Sequence, residues 1–273
     1  MIIEQTYRLI LERYGNQIRD LTISGVTIGT YLTAVRLSDD STGTSATLAD
    51  NHPFHAKRNR DFGDFTPLRI RGQSVADLLS SPKDTGAISS LKIAALNAVS
   101  GRLISNENYR IEEDKDPIEF TDLTSQKQIT IVGAFNSYIR RISATGNILH
   151  ILEINRNLIP DEFRKYFVPD DEYGSVLPGS DIVIITGQTL VNGTIDSLLE
   201  AITPGTQVII TGPSSSILPE VLFENKVSIV GAVRITDPEL LFDVVSQGGT
   251  GFHLFEYCAK KICILKKDER PVK

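Results

Sequence analysis

Four stretches of this chain repeat one pattern, a short run of mostly β-branched apolar residues that stops at glycine. Residues 129–132 stop at Gly133, 182–185 at Thr186-Gly187, 207–210 at Thr211-Gly212, and 227–230 at Gly231. Runs this short and this apolar suit strands buried on both faces of a sheet. The closing glycine lets the chain turn sharply and lets backbone N–H groups approach a ligand. A fifth run, 148–154, keeps the rhythm without the glycine, and CAKKICIL (258–265) predicts a last strand. Helices are predicted between them at 138–144, 161–167, 195–202, 218–224 and 238–246, the last opened by Asp237 as N-cap and Pro238 at N1. Strands alternating with helices predict right-handed βαβ units, hence a parallel sheet of five or six strands covered on both faces.

The first 122 residues read differently. Ile3, Tyr7, Ile10, Leu11 and Tyr14 recur at helical spacing and Gly15 supplies a stop. Two β-branched runs, 18–23 and 26–37, meet at Ser24-Gly25, and 44–48 can pair back as a third strand beyond the polar turn 39–43. Ser74-Val75-Ala76-Asp77 predicts a capped short helix, and a longer one starts near Ile88 with Leu91, Ala95, Ala98 and Arg102 along one stripe. The fold expected is therefore α/β: a small α+β unit over 1–122, then a parallel α/β unit over 123–273.

Ligands of a parallel sheet bind at the carboxyl ends of its strands. DIVIITGQTLVNGT (181–194) delivers Thr186, Gly187, Thr189, Asn192 and Thr194 at one such end. TGPSSS (211–216) delivers Gly212, Pro213 and Ser214 at the next. Asn192 carries most weight here, because Thr194 is the more natural helix cap and leaves the Asn192 amide free; Asn-Gly as plain turn chemistry is the alternative. Gly133 and Glu153, twenty residues apart, mimic the dinucleotide-binding fingerprint, and Glu153 is placed to take ribose hydroxyls. The loop Val132-Gly133-Ala134-Phe135 has one glycine and a bulky Phe135, which disfavours a pyrophosphate and keeps adenosylmethionine or NAD(P) as the alternative reading only. Asn97 lies among good helix formers, either solvated or locally bonded, or with its amide facing the cleft between the two units.

The segments VGAF (132–135), LEIN (152–155), DIVIITGQTLVNGT and TGPSSSILP resemble the second domain of the heavy-metal chelation family, first described as a domain of unknown function. YLTAVRL and SVADLL…AALNAVSGRL resemble its first domain. The resemblance implies an enolase N-terminal-like domain followed by a Rossmann-like domain, with a site in the cleft between them. It implies metal chelation with no assigned reaction, while Thr186, Gly187, Asn192, Thr194, Gly212 and Ser214, as neutral donors and acceptors, suit a small polar or anionic ligand or a metal chelate. An enzyme of metallo-ligand metabolism and a non-catalytic binding protein both fit.

A transition metal ion is the one cofactor the residues themselves raise, through His52 and His55 with Asp50, Asp61 and Asp64 nearby. Two imidazoles on a loop without a third ligand fixed by spacing are more often solvated. Cys258 and Cys263 are too far apart for a C-x-x-C clamp and read as buried thiols; His253 is a candidate acid–base group. A net charge of −6 with no basic stripe argues against nucleic acid, and no apolar run reaches the ~18–20 residues of a membrane span. Two cysteines and the charge layout of the N-terminus predict a cytoplasmic protein; a homo-oligomer stays open.

Overall fold

The computed structural model describes residues 1–48 and 62–267. Two sheets organise them. The first is antiparallel, β1 (Ile23–Ile28), β2 (Leu32–Leu37) and β3 (Thr42–Ala46), in that order. Helices α1 (Ile2–Ile18), α2 (Val75–Ser80) and α3 (Gly86–Leu103) accompany it. Ser74 caps α2 through its hydroxyl, as its position before Val75-Ala76-Asp77 predicts. Two expectations shift: α1 continues through Gly15, and the hairpin turn falls at Gly29–Tyr31 instead of Ser24-Gly25. Gly25 instead marks an irregularity in β1, where the register shifts between Ile23 and Gly25.

The second sheet has eight strands: β4 (Arg110–Glu113), β5 (Gln128–Val132), β6 (Ile148–Glu153), β7 (Phe167–Pro169), β8 (Ile182–Thr186), β9 (Gln207–Thr211), β10 (Val227–Ile235) and β11 (Ala259–Leu265). Their spatial order is β4-β11-β10-β9-β8-β5-β6-β7. Six of them, from β10 to β7, run parallel; β11 is antiparallel to both β10 and β4. The glycine-ended runs at 129–132, 182–185 and 207–210 are β5, β8 and β9, as predicted. The fourth is corrected: β10 runs through Gly231 to Ile235. A Cβ at Gly231 would stand 2.3 Å from Thr211 Oγ1 and 2.5 Å from Pro117, so glycine there admits neighbours and ends nothing. β4 and β7 have no counterpart among the predicted strands. Both are short, β4 being charged and β7 ending at proline.

Helices α4 (Asn136–Ser143), α5 (Tyr173–Val176), α6 (Gln188–Val191), α7 (Ile195–Ala201), α8 (Glu220–Glu224), α9 (Pro238–Ser246) and α10 (Gly251–Tyr257) complete the chain. α9 has the predicted bounds, with Asp237 accepting from the Leu240 N–H at 2.9 Å. The stretch predicted as a helix at 161–167 is 3-10 at Asp161–Tyr166. One apolar cluster runs from Ile10, Leu37 and Leu96 of the first layer into Val183, Ile210 and Leu218 beside the large sheet. A second, with Ile129, Ile151 and Ile184, fills the other face of the large sheet. Among the described residues no helix is long and apolar enough to cross a membrane.

β3 approaches α3 most closely at Gly43, where a Cβ would lie 2.3 Å from the Ala94 carbonyl and 2.4 Å from the Ala98 nitrogen. Backbone cannot step aside as a side chain can. Gly43→Ala should therefore cost about 1–3 kcal/mol, the range of overpacked cores. In urea melts the midpoint should fall with an unchanged slope; an unaltered midpoint would show that the approach is not tight.

Candidate functional site

β5, β6, β8 and β9 are parallel, so Gly133, Glu153, Gly187 and Gly212 all fall on one edge of the sheet. β5 lies between β8 and β6, and the chain leaves it in one direction and returns in the other. Such a reversal opens a crevice at the strand ends. Gly133, at φ +103°, sits 3.1 Å (from its would-be Cβ) from the Thr186 side chain across the crevice. Phe135 stacks on Tyr138 with centroids 5.4 Å apart, and the Tyr138 hydroxyl donates to Asp116 at 2.5 Å.

Much of the polar chemistry expected on this edge is turned inward. Glu153 Oε1 accepts from the N–H groups of Ile154 and Asn155 at 2.8 and 3.2 Å. Thr189 is buried and donates to the Thr186 carbonyl at 2.7 Å, while Thr186 Oγ1 accepts from the Gln188 N–H. Asn192 Oδ1 accepts from both the N–H and hydroxyl of Thr194, at 3.1 and 2.8 Å, closing an Asx turn before α7. Thr194 precedes α7 as expected but makes no side-chain cap bond: its backbone is already helical, at φ −85° and ψ −10°, where a capping residue is extended. The serines that follow Gly212 are also engaged. Ser214 Oγ accepts from the Ala46 N–H of β3 at 2.8 Å, Ser215 donates to the Gly212 and Gly231 carbonyls, and Ser216 pairs with Val233. These hydroxyls hold the loop to its neighbours.

Asn97 is where the small layer meets this loop. It is 3% exposed, so the solvated reading fails. Its Nδ2 donates to the Thr44 carbonyl at 2.7 Å and to the Pro213 carbonyl at 3.3 Å, which fixes the orientation of the amide. Its Oδ1 is buried without a hydrogen-bond partner. Thr44 Oγ1, on the adjoining strand, is in the same condition. Both residues line a cavity of about 230 Å³ between the β2–β3 hairpin, α3 and the second half of β10. Gly101, Arg102 and Arg234 line it too. Arg102 pairs with Asp39 and Arg234 with Glu113, each guanidinium remaining more than a third exposed. Thr44, Arg102 and Arg234 carried no motif that marks them in sequence; only the tertiary fold brings a strand threonine and two distant arginines together.

The donor set does not suit a directly bound heavy metal. Among the side chains lining the cavity, Asp40 is the one anionic ligand, and none is His or Cys. Among the described residues no cluster of three or more His, Cys, Asp or Glu is placed to hold an ion. His52 and His55 lie outside the described residues. Cys258 and Cys263 are buried free thiols in different apolar clusters. Burial pushes Cys258 up to about 11, and burial with Asp116 nearby pushes Cys263 up to about 12, so neither is a thiolate at neutral pH. His253 Nδ1 meets the N–H and hydroxyl of Thr250, closing a capping box at the start of α10.

An antiparallel α+β layer docked on the carboxyl edge of a mostly parallel sheet, with a cavity at the junction, defines the class. The chain belongs to the family described as "Putative heavy-metal chelation", whose two parts match residues 116–264 (DUF364) and 11–100 (DUF4213). It is similar to a DUF364 protein of unknown function from Pyrococcus horikoshii, at 22% identity over 97% of this chain and 100% of that one, with a TM-score of 0.77. A DUF364 protein from Desulfitobacterium hafniense DCB-2 is 20% identical over 95% and 100%, with a TM-score of 0.71. At these identities the likeness shows the fold. No curated protein matches the chain.

Two outcomes follow from this geometry. Asn192→Asp keeps the acceptor that Thr194 uses and should stay within about 0.5 kcal/mol of wild type, whereas Asn192→Ala should lose about 0.5–1.5 kcal/mol with the turn bonds. Equal urea midpoints for the two variants would remove the Asx turn as the reason for Asn192. The two thiols should react with a disulfide reagent at pH 8 only after unfolding; prompt labelling of the native chain would overturn their burial.

Proposed function

We propose that this chain binds a small polar molecule where α3 and β3 meet the carboxyl edge of the large sheet, and that a metal, where one is carried, arrives inside an organic chelate. One observation carries the reading. Two buried polar atoms without partners, Asn97 Oδ1 and Thr44 Oγ1, belong to residues that line one cavity. Buried polar atoms are nearly always hydrogen-bonded, and an orphan costs about 1–3 kcal/mol. Their residues meet at one cavity wall, so the fold bears this polar cost at the junction where a ligand has room to sit. The family description points the same way, toward ligand or metal binding. The small layer in this reading is enolase N-terminal-like and the large one Rossmann-like, with the crevice of Gly133, Thr186 and Asn192 flanking the cavity across the Gly212–Ser216 loop. Among the described residues Asp40 is the one metal-ligating side chain at the cavity, which favours recognition of the organic shell of a chelate over its metal.

Gly101 offers a clean test. It lines the cavity from the last turns of α3, and a Cβ there would meet nothing within 4 Å. Gly101→Leu fills the mouth and removes a helix glycine, so the variant should gain up to about 1 kcal/mol in stability. Thermal-shift measurements would compare wild type with Gly101→Leu against ferric, cupric and nickel citrates, the free metal ions, adenosylmethionine and NAD(P). The reading expects at least one chelate to raise the wild-type melting temperature and to lose that effect in Gly101→Leu. A probe at a hundred times its dissociation constant stabilises by about 2.7 kcal/mol, which such curves resolve. Hits that bind Gly101→Leu equally well would move the site elsewhere.

A further inference from the structure

We propose that Asn192-Gly193 is a deamidation site which the fold keeps shut, and that its amide becomes a carboxylate only when the turn before α7 opens. It is the one Asn-Gly pair in the chain. The structure supplies both the reacting groups and the lock on them, and neither depends on what fills the cavity.

The reaction joins the Gly193 amide nitrogen to Asn192 Cγ. Glycine has no Cβ to keep that nitrogen away from a neighbouring side chain. Gly193 is exposed, and a Cβ added to it would meet nothing within 4 Å. Among the described residues its N–H makes no backbone hydrogen bond. Asn192 is half-buried, and its bonds to Thr194 use Oδ1, leaving Nδ2 free to depart.

In the reaction the Gly193 nitrogen gives its proton to hydroxide, the N–Cγ bond forms and the Cγ–Nδ2 bond breaks. Nδ2 leaves as ammonia with a proton from water. Water then opens the ring imide at either carbonyl, leaving an aspartyl or an isoaspartyl link. One water enters and one ammonia leaves; nothing is oxidised or reduced.

The lock is torsional. Asn192 stands at φ −89° and ψ 0°. At that ψ the Gly193 nitrogen eclipses the backbone nitrogen of Asn192, and about a tetrahedral Cα it must swing roughly a third of a turn to come alongside Cβ. The swing carries Gly193 and Thr194 away from the Asn192 side chain. It breaks both bonds that Oδ1 accepts from Thr194, at 3.1 and 2.8 Å. It also pulls at Ile195, the fully buried first residue of α7. On the other side the Asn192 N–H is tied to the Gln188 carbonyl at 3.0 Å. Ring closure therefore waits for local opening, which a short turn reaches far more readily than the whole fold does.

The two products differ in what they leave behind. An aspartyl link keeps the oxygen that Thr194 uses, so the turn can close again. An isoaspartyl link adds a methylene to the main chain and cannot rebuild it. Either one sets a negative charge at the carboxyl edge of the sheet, so the modification records that this turn has opened.

The experiment incubates the full chain in mildly alkaline buffer, with and without unfolding concentrations of guanidinium chloride. Wild type, Thr194→Val and Thr194→Ser are compared. Peptide mapping by mass spectrometry follows Asn192, with Asn136-Ser137 at the start of α4 as an internal control. Folded wild type should convert at least tenfold more slowly than unfolded wild type, equal to about 1.4 kcal/mol. Folded Thr194→Val should convert at least threefold faster than folded wild type, within the range of one lost hydrogen bond. Its unfolded rate and its Asn136 should not change, and Thr194→Ser, which keeps the hydroxyl, should match wild type. Equal rates in folded and unfolded wild type would overturn the lock, as would Thr194→Val converting like wild type. A rise at Asn136 in step with Asn192 would assign the effect to global unfolding and overturn it too. An unfolded chain that leaves Asn192 intact would remove the site altogether.

Discussion

The structure depends on a seam of buried side-chain-to-backbone hydrogen bonds between the small layer and the loop that follows β9. Ser214 takes the Ala46 N–H, Asn97 reaches the Pro213 carbonyl, and Ser100 takes the Leu218 N–H at 2.9 Å. Within the small layer Ser45 donates to the Ser90 carbonyl, and Ser90 takes the Leu48 N–H. All these side chains are nearly or fully buried, and a polar group buried without a partner costs more than a bond gains. Apolar contact alone lets two layers slide. Polar partners with fixed donors and acceptors specify one register, and that register sets which residues of the two layers meet at the cavity.

The seam also explains which parts of the fold were legible in sequence. Strands buried on both faces announce themselves as solid apolar runs, so β5, β8 and β9 could be placed within a residue. The capped helix at Asp237-Pro238 was equally plain, since a cap is a local signal. β4 and β7 were not, because a charged edge strand and a three-residue strand owe their pairing to neighbours far away in sequence. Gly231 misled because a glycine that ends a strand and a glycine that admits a threonine and a proline look the same in one dimension.

The site was legible in part for a related reason. Asn97 stood out as an amide among good helix formers, and burial among backbone carbonyls accounts for that oddity. The serines after Gly212 signalled a special loop, yet residue type alone cannot tell a hydroxyl that meets a ligand from one that holds the loop. The turn at Asn192 shows the same ambiguity: its acceptor closes on Thr194, two residues away. Thr44 and the two arginines gave no signal because their meeting is purely tertiary.

The two borders of the eight-stranded sheet have a bearing on how this protein meets copies of itself. On one side β4 presents Arg110, Glu112 and Glu113 in four residues, and on the other β7 has three residues and closes with Pro169. Open sheet borders invite another chain to add a strand, and charge, brevity and proline are the usual means of refusing it. Both borders here use them. Growth of this sheet by strands from another copy, the route that ends in insoluble aggregates, is thereby disfavoured.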